Sequence, residues 1–309
     1  GYLARAALIA DRTMAKFGLQ GKSFIPLLSA YACAVPAIMS TRVIENKRDR
    51  MATIMIAPLM TCSARLPVYT LIIAAFVPNV PIIRGFLSLP AVVMLGLYVL
   101  GFAAAVAMAR LLKSTVLKSK KSSFMLEMPP YRLPTIQSLS LRVIDRGKIF
   151  LHRAGTVILL VTVLLWGLAH LPLHDGKAPS LDQSYAAAIG KGIEPVIKPL
   201  GFDWKIGIGL ITSLAAREVI VGTLGAIYGI EGGEHSQGLQ QAVRQDLTPA
   251  GAVSLLVFFA FAMQCFSTLA IVKRETGGWK WPIFQFSYML ALAYCGSWVA
   301  FHLTNYFLA

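Results

Sequence analysis

Apolar residues in this 309-residue chain run in long stretches and do not alternate with polar ones. A helix needs about 20 mostly apolar residues to cross a bilayer. Seven stretches reach or approach that length: 24–40, 51–78, 86–112, 154–173, 204–230, 249–272 and 282–308. The pattern predicts an all-α, polytopic transmembrane helical bundle of about seven membrane segments. Between them, 78–85 reads as a turn, 181–197 as a short interfacial helix and the polar, glycine-rich 231–247 as a loop.

Charge gives the segments a direction. The connection 113–153 carries nine Lys or Arg against Glu127 and Asp145, which predicts a cytoplasmic position. Its centre holds Pro129, Pro130 and Pro134 and is excluded from helix. It reads as a tether between a first half, 1–112, and a second half, 154–309. The basic 41–50 is cytoplasmic by the same rule, and the balanced 174–203 faces outward. Two segments conflict with it. Lys16 and Lys22 precede 24–40 and Arg42 follows it, while Lys273, Arg274 and Lys280 follow 249–272. Either both span against the rule, or they are re-entrant. A weak repeat links the halves: Leu3-Ala4-Arg5-Ala6 resembles Leu214-Ala215-Ala216-Arg217. An apolar segment with a central cysteine, Cys33 or Cys265, follows each.

Composition agrees with a lipid environment. Charged residues make up 14% of the chain and hydrophobic ones 56%, against about 25% charged in a soluble domain. The net charge of +15 sits in short loops, which suits anionic headgroups and argues against a nucleic-acid partner. Cys33, Cys62, Cys265 and Cys295 lie in apolar runs without a CxxC and read as reduced thiols. The five histidines show no HxxH or HExxH spacing, so a zinc enzyme is unsupported. Gly21-Lys22-Ser23 resembles the end of a phosphate loop, but position 16 is Lys16 where that loop needs glycine. No bound cofactor is expected. The chain opens inside a helical pattern, so further chain upstream of Gly1 is expected.

Four places carry candidate chemistry. Pro36 follows Cys33 by three residues and is expected to kink a helix there, freeing carbonyls near Ala32 and Cys33. Inside a bilayer such carbonyls need a neighbouring helix, water or a cation, and a thiol beside them suits a borderline-soft divalent metal. Pro58, Cys62, Ser63, Arg65 and Pro67 read as an unwound stretch within 51–78. Glu218, beside Arg217, is the one acid in the middle of an apolar run and is the candidate carboxylate for a cation or proton. Gln264, Cys265, Ser267 and Thr268 bring amide, thiol and hydroxyls to mid-depth. Each has a plainer reading: a packing kink, two short helices meeting at a bend, a buried ion pair, or hydrogen bonds between helices.

In order along the chain, Gly21-Lys-Ser-Phe-Ile-Pro26, Cys33-Ala-Val-Pro-Ala37, Arg48-Asp-Arg50, Cys62-Ser-Ala-Arg-Leu-Pro67, Pro129-Pro-Tyr-Arg-Leu-Pro134 and Lys273-Arg-Glu-Thr-Gly277 resemble the membrane part of the ferrous iron transport protein B family. The resemblance implies Fe²⁺ as transported substrate, a multi-pass position in the bacterial inner membrane, and gate segments around Cys33, Pro36, Cys62 and Cys265. It also implies a GTPase domain upstream, small cytoplasmic accessory proteins as partners, and no enzymatic activity in this stretch. The family gate reads Gly-Cys-Asn-Val-Pro, whereas Ala32 and Ala34 flank Cys33 here. Gln264 stands where the second gate has proline, and its amide is a candidate substitute for the one absent at Ala34. A carrier for another divalent metal or a nucleoside-like solute, and a non-transporting membrane sensor or scaffold, stay open as alternatives, as does homo-oligomerisation.

Overall fold

The protein is described by a computed structural model that covers residues 2–16, 18–83, 87–118, 184–230 and 233–308, with scattered positions between 135 and 168. In chain order the elements are α1 (Tyr2–Lys16), α2 (Phe24–Ala30), α3 (Ala34–Ser40), α4 (Lys47–Ile56), α5 (Leu66–Phe76), β1 (Pro81–Ile83), β2 (Leu87–Ser88) and α6 (Leu89–Ser114). They continue with α7 (Tyr185–Ile197), α8 (Trp204–Thr212), α9 (Val219–Tyr228), α10 (Gln237–Asp246), α11 (Pro249–Phe261), α12 (Phe266–Thr276) and α13 (Lys280–Leu308). Helices dominate. The two strands pair antiparallel with Pro81 opposite Ser88, so the chain reverses direction between α5 and α6.

Four described stretches are long and apolar enough to cross a membrane: Lys47–Phe76, Leu89–Ser114, Pro249–Thr276 and Lys280–Phe307. The chain is therefore an integral membrane protein. The expected segment 154–173 lies mostly outside the described residues, as does the linker centre 119–134.

Several helices start at a side-chain cap. Asn46 accepts from the backbone N–H of Arg48 at 2.9 Å, and Ser184 from Ala187 at 3.1 Å. Asp203 accepts from Ile206 at 2.9 Å, and Thr248 from Gly251 at 3.1 Å. Each satisfies one of the donors that a helix start leaves without a partner.

Two expectations are corrected. The stretch 231–247 is not all loop, because α10 occupies Gln237–Asp246. Leu239, Val243 and Leu247, spaced by four, are buried, and that stripe outweighs the polar composition. The stretch 24–40 is not one segment but two helices of seven residues each.

The chain forms two compact units. The first comprises Gly1–Cys62, Phe102–Leu160 and Ser267–Pro282, and the second Ser63–Gly101, Val161–Phe266 and Ile283–Ala309. In the first, α2 packs against α3 and both pack against the turn Ala57–Leu59. Ser23 and Thr53 hydroxyls meet at 2.9 Å, and Lys113 pairs with the buried Asp49. Glu275, with its side chain 2% exposed, receives Arg42 at 2.6 Å and Arg50 at 2.5 Å. The Arg48-Asp49-Arg50 and Lys273–Gly277 motifs are thereby joined.

In the second unit α8 packs on α7 and α9, and α5 packs on α9, α10 and α11. Ser254 and Ser297 exchange hydroxyl-to-carbonyl bonds at 3.2 and 2.8 Å, fastening α11 to α13. Phe202 stands edge-on to Phe258 with ring centroids 6.1 Å apart. Gly201 has φ +82°, and the Phe301 ring fills the place where a Cβ would stand. Only glycine fits there.

Candidate functional site

Each stretch that the sequence marked for chemistry is a break between helices. The first break is Tyr31–Cys33, between α2 and α3. Cys33 is extended (φ −159°, ψ 137°) and half-buried. The N–H groups of Ala32 and Cys33 both donate to Ser29 O at 3.1 Å. Pro36 does not kink a continuous helix, which corrects the sequence expectation. It is the third residue of α3, in the first turn, where a missing N–H costs little.

The second break follows α4. A 3₁₀ turn, Ala57–Leu59, carries Pro58 at its start. Met60–Cys62 then run without helix, and a second 3₁₀ turn, Ser63–Arg65, leads into α5 with Pro67 in its first turn. The unwound stretch expected here is present. Cys62 is half-buried and Ser63 exposed, while Arg65 is fully buried. Thr61 is 1% exposed, and its hydroxyl has no hydrogen-bond partner among the described residues.

The third break is Ala262–Cys265, between α11 and α12. Cys265 and Ser267 are half-buried and Thr268 is buried. Gln264 is 3% exposed, and its Oε1 has no partner among the described residues.

A fourth break was not expected. The sequence reads 204–230 as one segment with Glu218 at mid-helix. The chain leaves helix from Ser213 to Glu218 instead, and α9 begins at Val219. Glu218 is exposed, and Arg217, not Glu218, is the buried charge, at 4% exposure. Gly229 ends α9 in the left-handed region at φ +64°. The third and fourth breaks are tied together within the second unit. Arg217 Nη2 donates to Ala262 O at 3.1 Å, and Phe266 N donates to Leu214 O at 3.0 Å. The paired Leu-Ala-Arg elements also differ: Leu3–Ala6 lies in helix, Leu214–Arg217 in this turn.

Cys33 and Cys62 belong to the first unit, Cys265 and Glu218 to the second. Among the described residues no three His, Cys, Asp or Glu side chains gather closely enough to hold a metal ion. What recurs is a pairing in sequence. Thr61-Cys62 and Gln264-Cys265 each set a half-buried thiol beside a buried oxygen that has no partner among the described residues. A buried unsatisfied oxygen costs about 1–3 kcal/mol, and such groups call for a ligand, water or ion.

The gate family described as "Nucleoside recognition" matches residues 1–76 and 151–279, the stretches that hold all four breaks. The family of the ferrous iron transport protein B C terminus matches residues 94–146. The Fe(2+) transporter FeoB of Leptospira interrogans is 49% identical over 99% of this chain. The chain belongs to the ferrous iron transport protein B family. The FeoB of Campylobacter jejuni is 35% identical over 99% of the chain. A Porphyromonas gingivalis protein named as an Fe(2+) transport protein A/FeoB fusion is 37% identical over 98%. The chain covers 46%, 50% and 40% of these FeoB relatives respectively, so it spans about half their length or less. No solved structure matches it.

Proposed function

We propose that this chain is the membrane part of a ferrous iron permease of the bacterial inner membrane, a transporter and not an enzyme. The observation that carries this is the pairing, at two helix breaks, of a thiol with a buried oxygen that has no partner among the described residues. Thiolate, amide and hydroxyl together suit Fe²⁺ stripped of part of its hydration shell. In this reading Cys33, Cys62, Cys265 and Glu218 meet the ion, with Thr61 and Gln264 adding oxygen. Pro36, Ser63, Arg65, Pro67, Ser267 and Thr268 shape the path. An upstream GTPase domain and small accessory proteins act on it; the fused relative named above supports the second of these.

The finer architecture we propose keeps about seven membrane elements as five crossings and two re-entrant hairpins, α2–α3 and α8–α9. At seven residues each, α2 and α3 reach about 10 Å, against a hydrocarbon core of about 30 Å. Glu275, held by Arg42 and Arg50, supports one side for 41–50 and the loop after α12. Basic Lys273–Lys280 then obeys the charge rule. The halves 1–112 and 154–309, joined by the basic 113–153, each contribute segments to both compact units.

Uptake of radioactive Fe²⁺ by cells carrying the full protein tests this. The double variant Cys33→Ala, Cys62→Ala is expected to lose uptake, and wild-type rates would remove the thiols from the path. The description of the matching gate family favours a second reading, a nucleoside-like solute. Competition of Fe²⁺ uptake by nucleosides, against competition by Mn²⁺ or Co²⁺, separates the two.

A further inference from the structure

The second unit holds a cavity of about 740 Å³ where α5 ends and α6 begins. Ile73 and Phe76 of α5 and Met94 of α6 form apolar walls, while Thr70, Asn79, Ser88 and Arg244 supply polar groups. Arg244 comes from α10, is exposed, and makes no ion pair among the described residues. The cavity therefore sits at the end of two candidate spans, and Arg244 is the one cation among its described lining residues. Its α6 wall continues into Leu95 and Val99, which are 59% and 58% exposed, so an acyl chain reaches the groove sideways from the bilayer.

We infer that this groove binds one anionic phospholipid. Its phosphate meets Arg244, Asn79 and Ser88, and its acyl chain lies along Ile73, Phe76 and Met94. The chemistry is that of a headgroup site with an apolar slot attached, and each part selects for a different part of the lipid. Arg244 discriminates charge, because an exposed basic residue near a surface attracts an anionic headgroup. The walls discriminate amphiphile from free anion, because a phosphate without a chain gains nothing from burial. The site lies apart from the four helix breaks in sequence and does not depend on the transported substrate.

The test is native mass spectrometry of the full protein released from detergent, titrated with phosphatidylglycerol or phosphatidylcholine of equal chain length. One adduct per chain is expected, with phosphatidylglycerol preferred by about fivefold, the contribution of one basic residue. Arg244→Gln should abolish that preference, and Ala91→Trp, which fills the groove, should remove the adduct for both lipids. The melting temperature of each variant shows whether it is folded. Inorganic phosphate and glycerophosphoglycerol should fail to displace the bound lipid. A preference unchanged in folded Arg244→Gln, retention of the adduct in folded Ala91→Trp, or displacement by the chainless phosphates would each overturn the assignment.

Discussion

Arg217 Nη2 lies 3.1 Å from the carbonyl oxygen of Ala262, so a buried guanidinium from one helix break is spent on the backbone of another. Both residues are at most 4% exposed. Removing the donor leaves a carbonyl buried without its partner. Arg217→Ala should lower stability by about 1.5–3 kcal/mol, the range for a hydrogen bond from a charged group. Thermal unfolding in detergent measures it, and an unchanged melting temperature would show that this bond does not hold the two turns.

Gln264→Leu separates a ligand role from a packing role. Leucine removes a buried oxygen that lacks a partner among the described residues, so stability should hold or rise by up to about 1 kcal/mol. Fe²⁺ uptake should nevertheless drop at least about tenfold if the oxygen contributes a binding contact worth about 1.4 kcal/mol. Thr61→Val should behave alike. Loss of stability in step with uptake would assign both residues to packing.

How much of this was legible beforehand differs by element. Helices α6 and α13 run within a few residues of their expected bounds, because unbroken apolar stretches leave lipid-spanning helix as the one way to satisfy the backbone. The break at Met60–Cys62 was legible from Pro58 and Pro67. The break at Ser213–Glu218 was not, since Ser213-Leu-Ala-Ala-Arg-Glu218 contains no glycine or proline. Tertiary bonds from Phe266 and Arg217 hold it open. The sequence shows Gln264 beside Cys265 and Thr61 beside Cys62, but whether an oxygen finds a partner is decided by neighbours distant in the chain. Glu218 stands out in the sequence as the one acid in the middle of an apolar run; its exposure follows from the same hidden break.

Glu275 is the acid on which Arg42 and Arg50 converge, at 2.6 and 2.5 Å. Its own side chain is buried, while those of Arg42 and Arg50 are 52% and 29% exposed, so solvent screens part of the attraction. Glu275→Gln should cost roughly 2 kcal/mol, below the range for a fully buried pair. Denaturant unfolding of the variant reads this directly. A cost no larger than that of Arg42→Gln alone would show that Arg50 adds nothing.

Asp246 accepts from Tyr228 Oη at 2.8 Å and pairs with Lys205. Burial alone would raise its carboxyl, but the bonds from Lys205 and Tyr228 and the charge of Lys205 outweigh that and hold it below its ordinary value. Its contribution is therefore complete above the unfolded value of about 3.9 and is lost as pH falls through the lower folded value. Asp203, which burial pushes up, acts in the opposite sense. Asp246→Asn should flatten the acid limb of a melting-temperature profile below about pH 4. A limb as steep as wild type would place the acid sensitivity elsewhere.

The shortness of α2 and α3 has a consequence for how the chain enters the bilayer. Neither helix, at seven residues, offers an insertion machine a span to release into lipid on its own. Their backbone ends need protein around them, and that protein includes the turn Ala57–Leu59, synthesised later. Biogenesis of residues 24–40 must therefore wait for the chain that follows, and a ribosome stalled before Leu59 should leave this stretch open to protease in isolated membranes.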